Sequence, residues 1–255
     1  LIERVVSMSK IVPEDPYCGI AEEKQLATSF IEVDSFDTNQ PSAETLIDWA
    51  NSAEKSALAV KGITNSEGAE ASWGSSVVSL AGTNGFKNTS KASYHSLSAS
   101  VLAGEGVGME RDYDYTGAVY SEDLISPELI GRTAGEKAIR RLNPQKIKTT
   151  QAPVVFDPRV SRSIVGHLLN AINGAAISRN TSFLKDKLGK RIFSETISII
   201  DDPHRPRGLR SRPFDAEGIP NKYRMIVENG VLTTWLLDLR SARQLGFETT
   251  GHAAR

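Results

Sequence analysis

Two Asn-Gly pairs, Asn84-Gly85 and Asn229-Gly230, constrain this chain most, because each sits between runs with the composition of β-strands. Asn and Gly tolerate the positive φ of a two-residue turn, so the flanking runs should return side by side as antiparallel hairpins. The first hairpin is predicted from Ser76 to Leu80 and Phe86 to Leu102 around Gly82-Thr83-Asn84-Gly85, the second from Tyr223 to Val227 and Val231 to Leu236. Tyr94, Ser96, Ser98 and Ser100 alternate with His95, Leu97, Ala99 and Val101, and the period of two puts His95 on the more apolar face. A third strand is expected from Val107 to Tyr115, and a buried one from Ile197 to Ile200.

Helices are predicted around these strands. Ser42 is a cap, Glu44 suits the positive helix end, and Leu46, Ile47 and Ala50 recur on one face of a helix that fades near Gly62. Ser126-Pro127-Glu128 starts another, with Ile130, Ala134, Ala138 and Leu142 as its buried stripe and Asn143-Pro144 as its stop. Pro153 to Phe156 reads as an apolar strand. The helix from about Pro158 carries a wide apolar face of Val160, Ile164, Val165, Leu168, Leu169 and Ile172, and Gly174 ends it. A short last helix spans Leu239 to Leu245. The fold class is α+β, antiparallel β-sheets with flanking helices, multi-domain. Residues 1–41, with Pro13, Pro16 and Pro41, read as the tail of an upstream domain and a linker, 42–150 as a middle α+β domain, and 151–255 as a further domain. The start at Leu1 and the end at Arg255 fit a fragment of a longer chain.

Composition narrows the function. A formal charge of −1 over 255 residues gives no overall attraction to nucleic acid or to an anionic membrane, and no apolar run has spanning length. Cys18 is the single cysteine, so no intrachain disulfide forms and a cytoplasmic setting is expected. Its Pro16-Tyr17-Cys18-Gly19 setting holds no base to activate the thiol. Gly104-Glu105-Gly106-Val107-Gly108 lacks the helix, Lys and Ser/Thr of a phosphate loop and reads as a strand connection.

His95, His167, His204 and His252 are too dispersed to pair three to five residues apart, as helical zinc ligands would. Asp201-Asp202 and Asp215 with Glu217 offer carboxylates for acid/base work. Arg205, Arg207, Arg210 and Arg212 lie between those two clusters, so ion pairing with them is expected; the same arginines suit a substrate carboxylate or a phosphate.

Asn180-Thr181-Ser182-Phe183-Leu184, Ile199-Ile200-Asp201-Asp202-Pro203, Arg212-Pro213-Phe214-Asp215-Ala216-Glu217-Gly218, Glu228-Asn229-Gly230-Val231-Leu232 and Thr250-Gly251 stand in an order that resembles the TldD/PmbA family, more narrowly its PmbA (TldE) branch. Glu110-Arg111-Asp112-Tyr113 and the helix after Ser126 resemble the family's middle region. The resemblance implies a TldD-type catalytic subunit as partner, unfolded or extended peptides as substrate, a possible homo-oligomer, and a link to DNA gyrase through gyrase-directed peptides and toxins. It also implies that 151–255 begins the family's C-terminal domain and that flanking domains are missing.

In the family's catalytic subunits a His-Glu-x-x-x-His helix supplies two imidazoles for zinc and a glutamate base. Here the segment Ser163 to Gly174 occupies that place. Setting His167 at the first position puts Leu168 where the base would stand and Ile172 where the second His would stand, and neither can do that chemistry. The expectation is therefore a chain that binds no cofactor itself, with zinc in the partner subunit. Asp201, Asp202, Arg212, Asp215, Glu217, Thr250 and Gly251 are the candidate interface or peptide-binding positions. A peptidase acting alone through an atypical site and a non-proteolytic binding protein remain as alternatives.

Overall fold

The computed structural model describes residues 2–254. Helix α1 (Ile2–Ser9) is followed by an extended segment, then by α2 (Ala43–Leu58), whose Ser42 hydroxyl accepts the amide hydrogen of Thr45. Strands β1 (Ile63–Ala81), β2 (Lys87–Ala103) and β3 (Glu110–Ala118) form an antiparallel sheet in that order. Helix α3 (Pro127–Arg141), capped by Ser126, lies with α2 across one face of it.

That face is the first core. Leu97, Ala99, Val101 and Ala103 of β2 meet Ala53 and Ala57 of α2 and Ile130, Ala134 and Ala138 of α3. Gly131 and Gly135 of α3 face Ala53 and Ala57 of α2 and let the backbones approach, and a Cβ on Gly131 would collide with the carbonyl of Ala53. His95 occupies the inner face as the alternation predicts, fully buried and stacked on Trp73 with ring centroids 6.4 Å apart.

The first hairpin forms with a different turn. Gly82 N–H donates to Phe86 O, Gly85 N–H to Gly82 O, and only Gly85 has positive φ, at 89°. This is a three-residue connection with a left-handed glycine rather than a two-residue turn. Strand β1 also starts at Ile63, well before Ser76, because its small polar residues hide the pairing that β2 imposes. A 3-10 turn at Gly106–Gly108 delays β3 to Glu110.

The second unit is smaller in regular structure. It holds α4 (Pro158–Ala171), α5 (Gly174–Ser178), β4 (Ile199–Asp201), β5 (Arg224–Glu228), β6 (Val231–Leu232) and α6 (Leu239–Leu245). The second Asn-Gly pair does make the two-residue turn, with φ of 47° at Asn229 and 81° at Gly230. Leu168, Ile172, Ile177, Val227, Leu232 and Leu237 are among the residues of its core.

Three expectations fail here. Pro153 to Phe156 is not a strand: a strand needs a hydrogen-bonding neighbour, none lies beside it among the described residues, and Val155 is 95% exposed. Gly174 does not stop α4; the helix ends a turn earlier and Asn173 caps the new helix α5 through Ala175 N–H. Most of the apolar face of α4 is not packed. Only Leu168 and Ile172 enter the core, while Val160, Ile164, Val165 and Leu169 remain exposed.

The N-terminal segment ties the two units together. Ala27 and Phe86 pack on Phe214, and Phe30 stacks edge-on against Phe214 at 5.5 Å. Ser93 N–H donates to Ser35 O at 3.0 Å, so residues near Ser35 take up the edge of β2 that β3 leaves open beyond His95. Arg243 donates to the carbonyls of Tyr17, Gly19 and Ile20.

Candidate functional site

The residues singled out in the second unit fall into two groups around the stretch Thr249 to Ala253. On one side is Asp215, fully buried, whose Oδ1 accepts the amides of Glu217 and Ile219 and whose Oδ2 accepts that of Ala253 at 2.9 Å. Glu217 Oε2 accepts Leu239 N–H at 2.9 Å and so satisfies a free amide at the start of α6. Its carboxyl is held above the ordinary range: burial raises it most, the charges of Asp215 and Asp238 add to that, and the Leu239 amide opposes them. Gly251 needs its positive φ of 72°, and a Cβ there would press on Pro220 O at 2.9 Å.

On the other side His252 bridges two groups. Its Nε2 lies 3.1 Å from Asp201 Oδ2 and its Nδ1 2.8 Å from Thr250 Oγ1. A carboxylate only accepts, so Nε2 carries a hydrogen toward Asp201, while Nδ1 faces a Thr250 hydroxyl that also donates to Leu237 O at 3.2 Å. The order Asp-His-Thr resembles an activated nucleophile, but Thr250 Oγ1 already accepts Leu237 N–H at 2.7 Å. The hydroxyl is a strut between two chain segments. Asp202 is exposed and accepts His204 N–H across a turn.

The arginine loop pairs elsewhere than its neighbours in sequence indicate. Arg207 reaches Asp34 Oδ2 at 2.8 Å, Glu122 Oε1 at 2.7 Å and Asp123 Oδ2 at 3.1 Å, and stacks on Tyr120 at 3.7 Å. Asp201, Asp202, Asp215 and Glu217 are therefore not its partners. Arg212 N–H donates to Pro203 O at 2.9 Å and closes the loop at its base, while its side chain lines a cleft with Lys91 and Arg210. Lys91 was missed in the sequence, because only the fold brings it to that cleft. His252 has no histidine near it in sequence, and its partner is the carboxylate of Asp201.

The site thus consists of a buried brace at Asp215, a polar bridge through His252, and a cationic cleft at Arg212, on a fold of paired α+β units. The chain matches the PmbA/TldA metallopeptidase central domain over residues 36–142 and the PmbA/TldA metallopeptidase C-terminal domain over residues 149–255. It belongs to the PmbA/TldD family of metallopeptidases. It is 38% identical to the metalloprotease PmbA of Escherichia coli over 99% of its own length and 56% of that protein, and 35% identical to a PmbA homologue of Haemophilus influenzae over the same shares. The chain spans little more than half of these relatives. A crystal structure from Bacteroides thetaiotaomicron, described as a modulator of DNA gyrase, superposes with a TM-score of 0.93 at 27% identity, covering 99% of this chain and 59% of that one. TldE from Thermococcus kodakarensis shares the fold at a TM-score of 0.85 and 22% identity, over 100% of this chain and 57% of that one.

Of the three positions compared with the family's zinc helix, one carries a donor atom in its side chain. The metal needs at least three converging N, O or S donors. His167 is exposed while Leu168 and Ile172 point into the core, and neither hydrocarbon offers a donor. Among the described residues no group of three His, Cys, Asp or Glu side chains is placed to hold an ion.

Proposed function

We propose that this chain is the non-metal-binding partner of a TldD-type subunit in a cytoplasmic peptidase that processes unfolded peptides, with zinc in the other subunit. The exposed apolar face of α4 carries this reading. Val160, Ile164, Val165 and Leu169 are exposed on one helix, as are Val154, Val155 and Phe156 just before it in sequence, and exposed apolar side chains in such number suit a surface that another protein covers. It lies on the helix that in the catalytic subunits bears the metal. Covering it would bring this chain against a catalytic chamber.

Peptide would be held through the backbone. Strand β1 is an edge of its sheet, and an extended chain can add to such an edge without regard to side chains. Asp201, Arg212 and Thr250 then hold the surrounding segments in place rather than cut the bond. No membrane contact enters this reading: among the described residues no helix is long and apolar enough to cross a bilayer.

Co-expression with a TldD-type protein tests the proposal. A stable complex, with peptide turnover that needs both chains, is the expected result. Turnover by this chain alone with bound zinc would establish the atypical peptidase instead, and absence of a complex with binding to gyrase-directed peptides would establish a non-proteolytic binding protein.

A further inference from the structure

Lys91, Arg210 and Arg212 line one cleft of about 260 Å³, together with the hydroxyl-bearing Ser35 and Ser211. No acidic side chain lines it. In a chain of net charge −1 this is a local excess of positive charge, and the loop's geometry maintains it. Arg207 takes up Asp34, Glu122 and Asp123 and so pins the loop, while the backbone bonds Gly208 N–H to Arg205 O and Ser211 N–H to Gly208 O stiffen it. Arg210 and Arg212, past the anchor, form no ion pair among the described residues. Lys91 is steadied over the ring of Phe36 at 5.7 Å.

The cleft continues into a groove of about 730 Å³ through Ala92 and Arg210, which border both. Gly74, Ser75 and Ser76 of β1 line that groove, where their small side chains let another backbone come close, and Tyr94, Leu209 and Arg162 line it as well. An extended chain lying along these residues passes Arg162 and Arg210 and reaches Lys91 and Arg212 in the adjoining cleft. Guanidinium and ammonium groups with hydroxyls are donors only or mostly, and a carboxylate with two oxygens is the acceptor they match.

We propose that this groove binds the C-terminal end of an extended peptide, with its terminal carboxylate seated among Lys91, Arg210 and Arg212. The inference rests on the peptide-handling part of the function proposed above and adds an end preference to it. Peptides would be engaged from a free C-terminus and internal segments poorly.

Fluorescence anisotropy decides this with a labelled, unstructured ten-residue peptide and its C-terminal amide, titrated with the chain alone and with its complex with a TldD-type subunit. The free acid should bind about tenfold more tightly than the amide at low salt, and added salt should erode the difference. The double variant Arg210→Gln with Arg212→Gln should abolish the preference, so that acid and amide bind equally. Equal binding of acid and amide overturns the proposal. So does a preference that survives the double variant, or an amide peptide with an internal Asp that binds as well as the acid. Inorganic phosphate binding by calorimetry more tightly than the acid peptide would also overturn it, assigning the cleft to phosphate. Complex formation is scored by gel filtration, so failure of the partner reading is seen apart from loss of the acid preference.

Discussion

The buried carboxylate of Asp215 accepts the amide hydrogen of Ala253 at 2.9 Å across 38 residues of chain. With the amides of Glu217 and Ile219 on its other oxygen, it is the brace that holds the loop after Phe214 against the Thr249–Ala253 stretch. Asp215→Ala leaves three buried amides unsatisfied and should cost about 3 kcal/mol or more in urea unfolding. Asp215→Asn keeps one accepting oxygen and should fall between the two. A loss below about 1 kcal/mol for the alanine variant would show that the brace is dispensable.

Gly131 is where α2 and α3 touch. A methyl group there meets the backbone of Ala53, and backbone cannot rotate away as a side chain can. Gly131→Ala should therefore destabilise by about 2 kcal/mol despite the better helix propensity of alanine, and lower the thermal midpoint by about 4–8 °C. Gly166, on α4 with nothing within 4 Å of a built Cβ, is the control, and Gly166→Ala should be neutral or stabilising.

Arg159 Nη1 bonds Asp112 Oδ1 at 2.6 Å and joins α4 to β3. Burial pushes the Asp112 carboxyl up, but the Arg159 hydrogen bond and charge, with Arg141 and the Tyr113 amide, hold it below the ordinary carboxylate range. A carboxyl lowered on folding contributes its stability above its unfolded pKa and loses it as pH falls through the folded value. Chemical denaturation should show this as a decline below about pH 4 that is shallower in Asp112→Asn, a variant that also loses about 1–2 kcal/mol at pH 7, since Arg159 keeps only its Asp157 and Tyr113 O partners.

What was legible in the sequence was what neighbours along the chain decide. Ser126-Pro127-Glu128 opens α3 as read, because a cap and a first-turn proline act within four residues. The face of α4 was visible from its period, but period gives a stripe and not what it packs against, and the stripe turned out mostly open. Asp201 and Asp202 stood nearest to Arg207 in sequence, yet its partner Asp34 lies 173 residues away. Two of the amide donors to Asp215, those of Glu217 and Ile219, lie within four residues as in a turn-fixing acid, but the third, from Ala253, is set by tertiary structure. The ordered motifs carried the family, while the role of each residue within them waited on the fold.

The open face of α4 gives the most direct mutational test of the proposed partnership. Ile164 and Val165 are 42% and 40% exposed, so glutamates there can reach water, and Ile164→Glu with Val165→Glu should cost about 1–2 kcal/mol in stability and leave the chain folded. A charge pair buried in an apolar interface without partners is a different matter, since each unpaired carboxylate costs several kcal/mol there. The double variant should unfold normally and fail to co-purify with a TldD-type subunit, with peptide turnover by the mixture falling to that of the other chain alone. Retained co-purification would mean that the subunits meet through another surface, and that the apolar residues from Val154 to Leu169 serve a different contact.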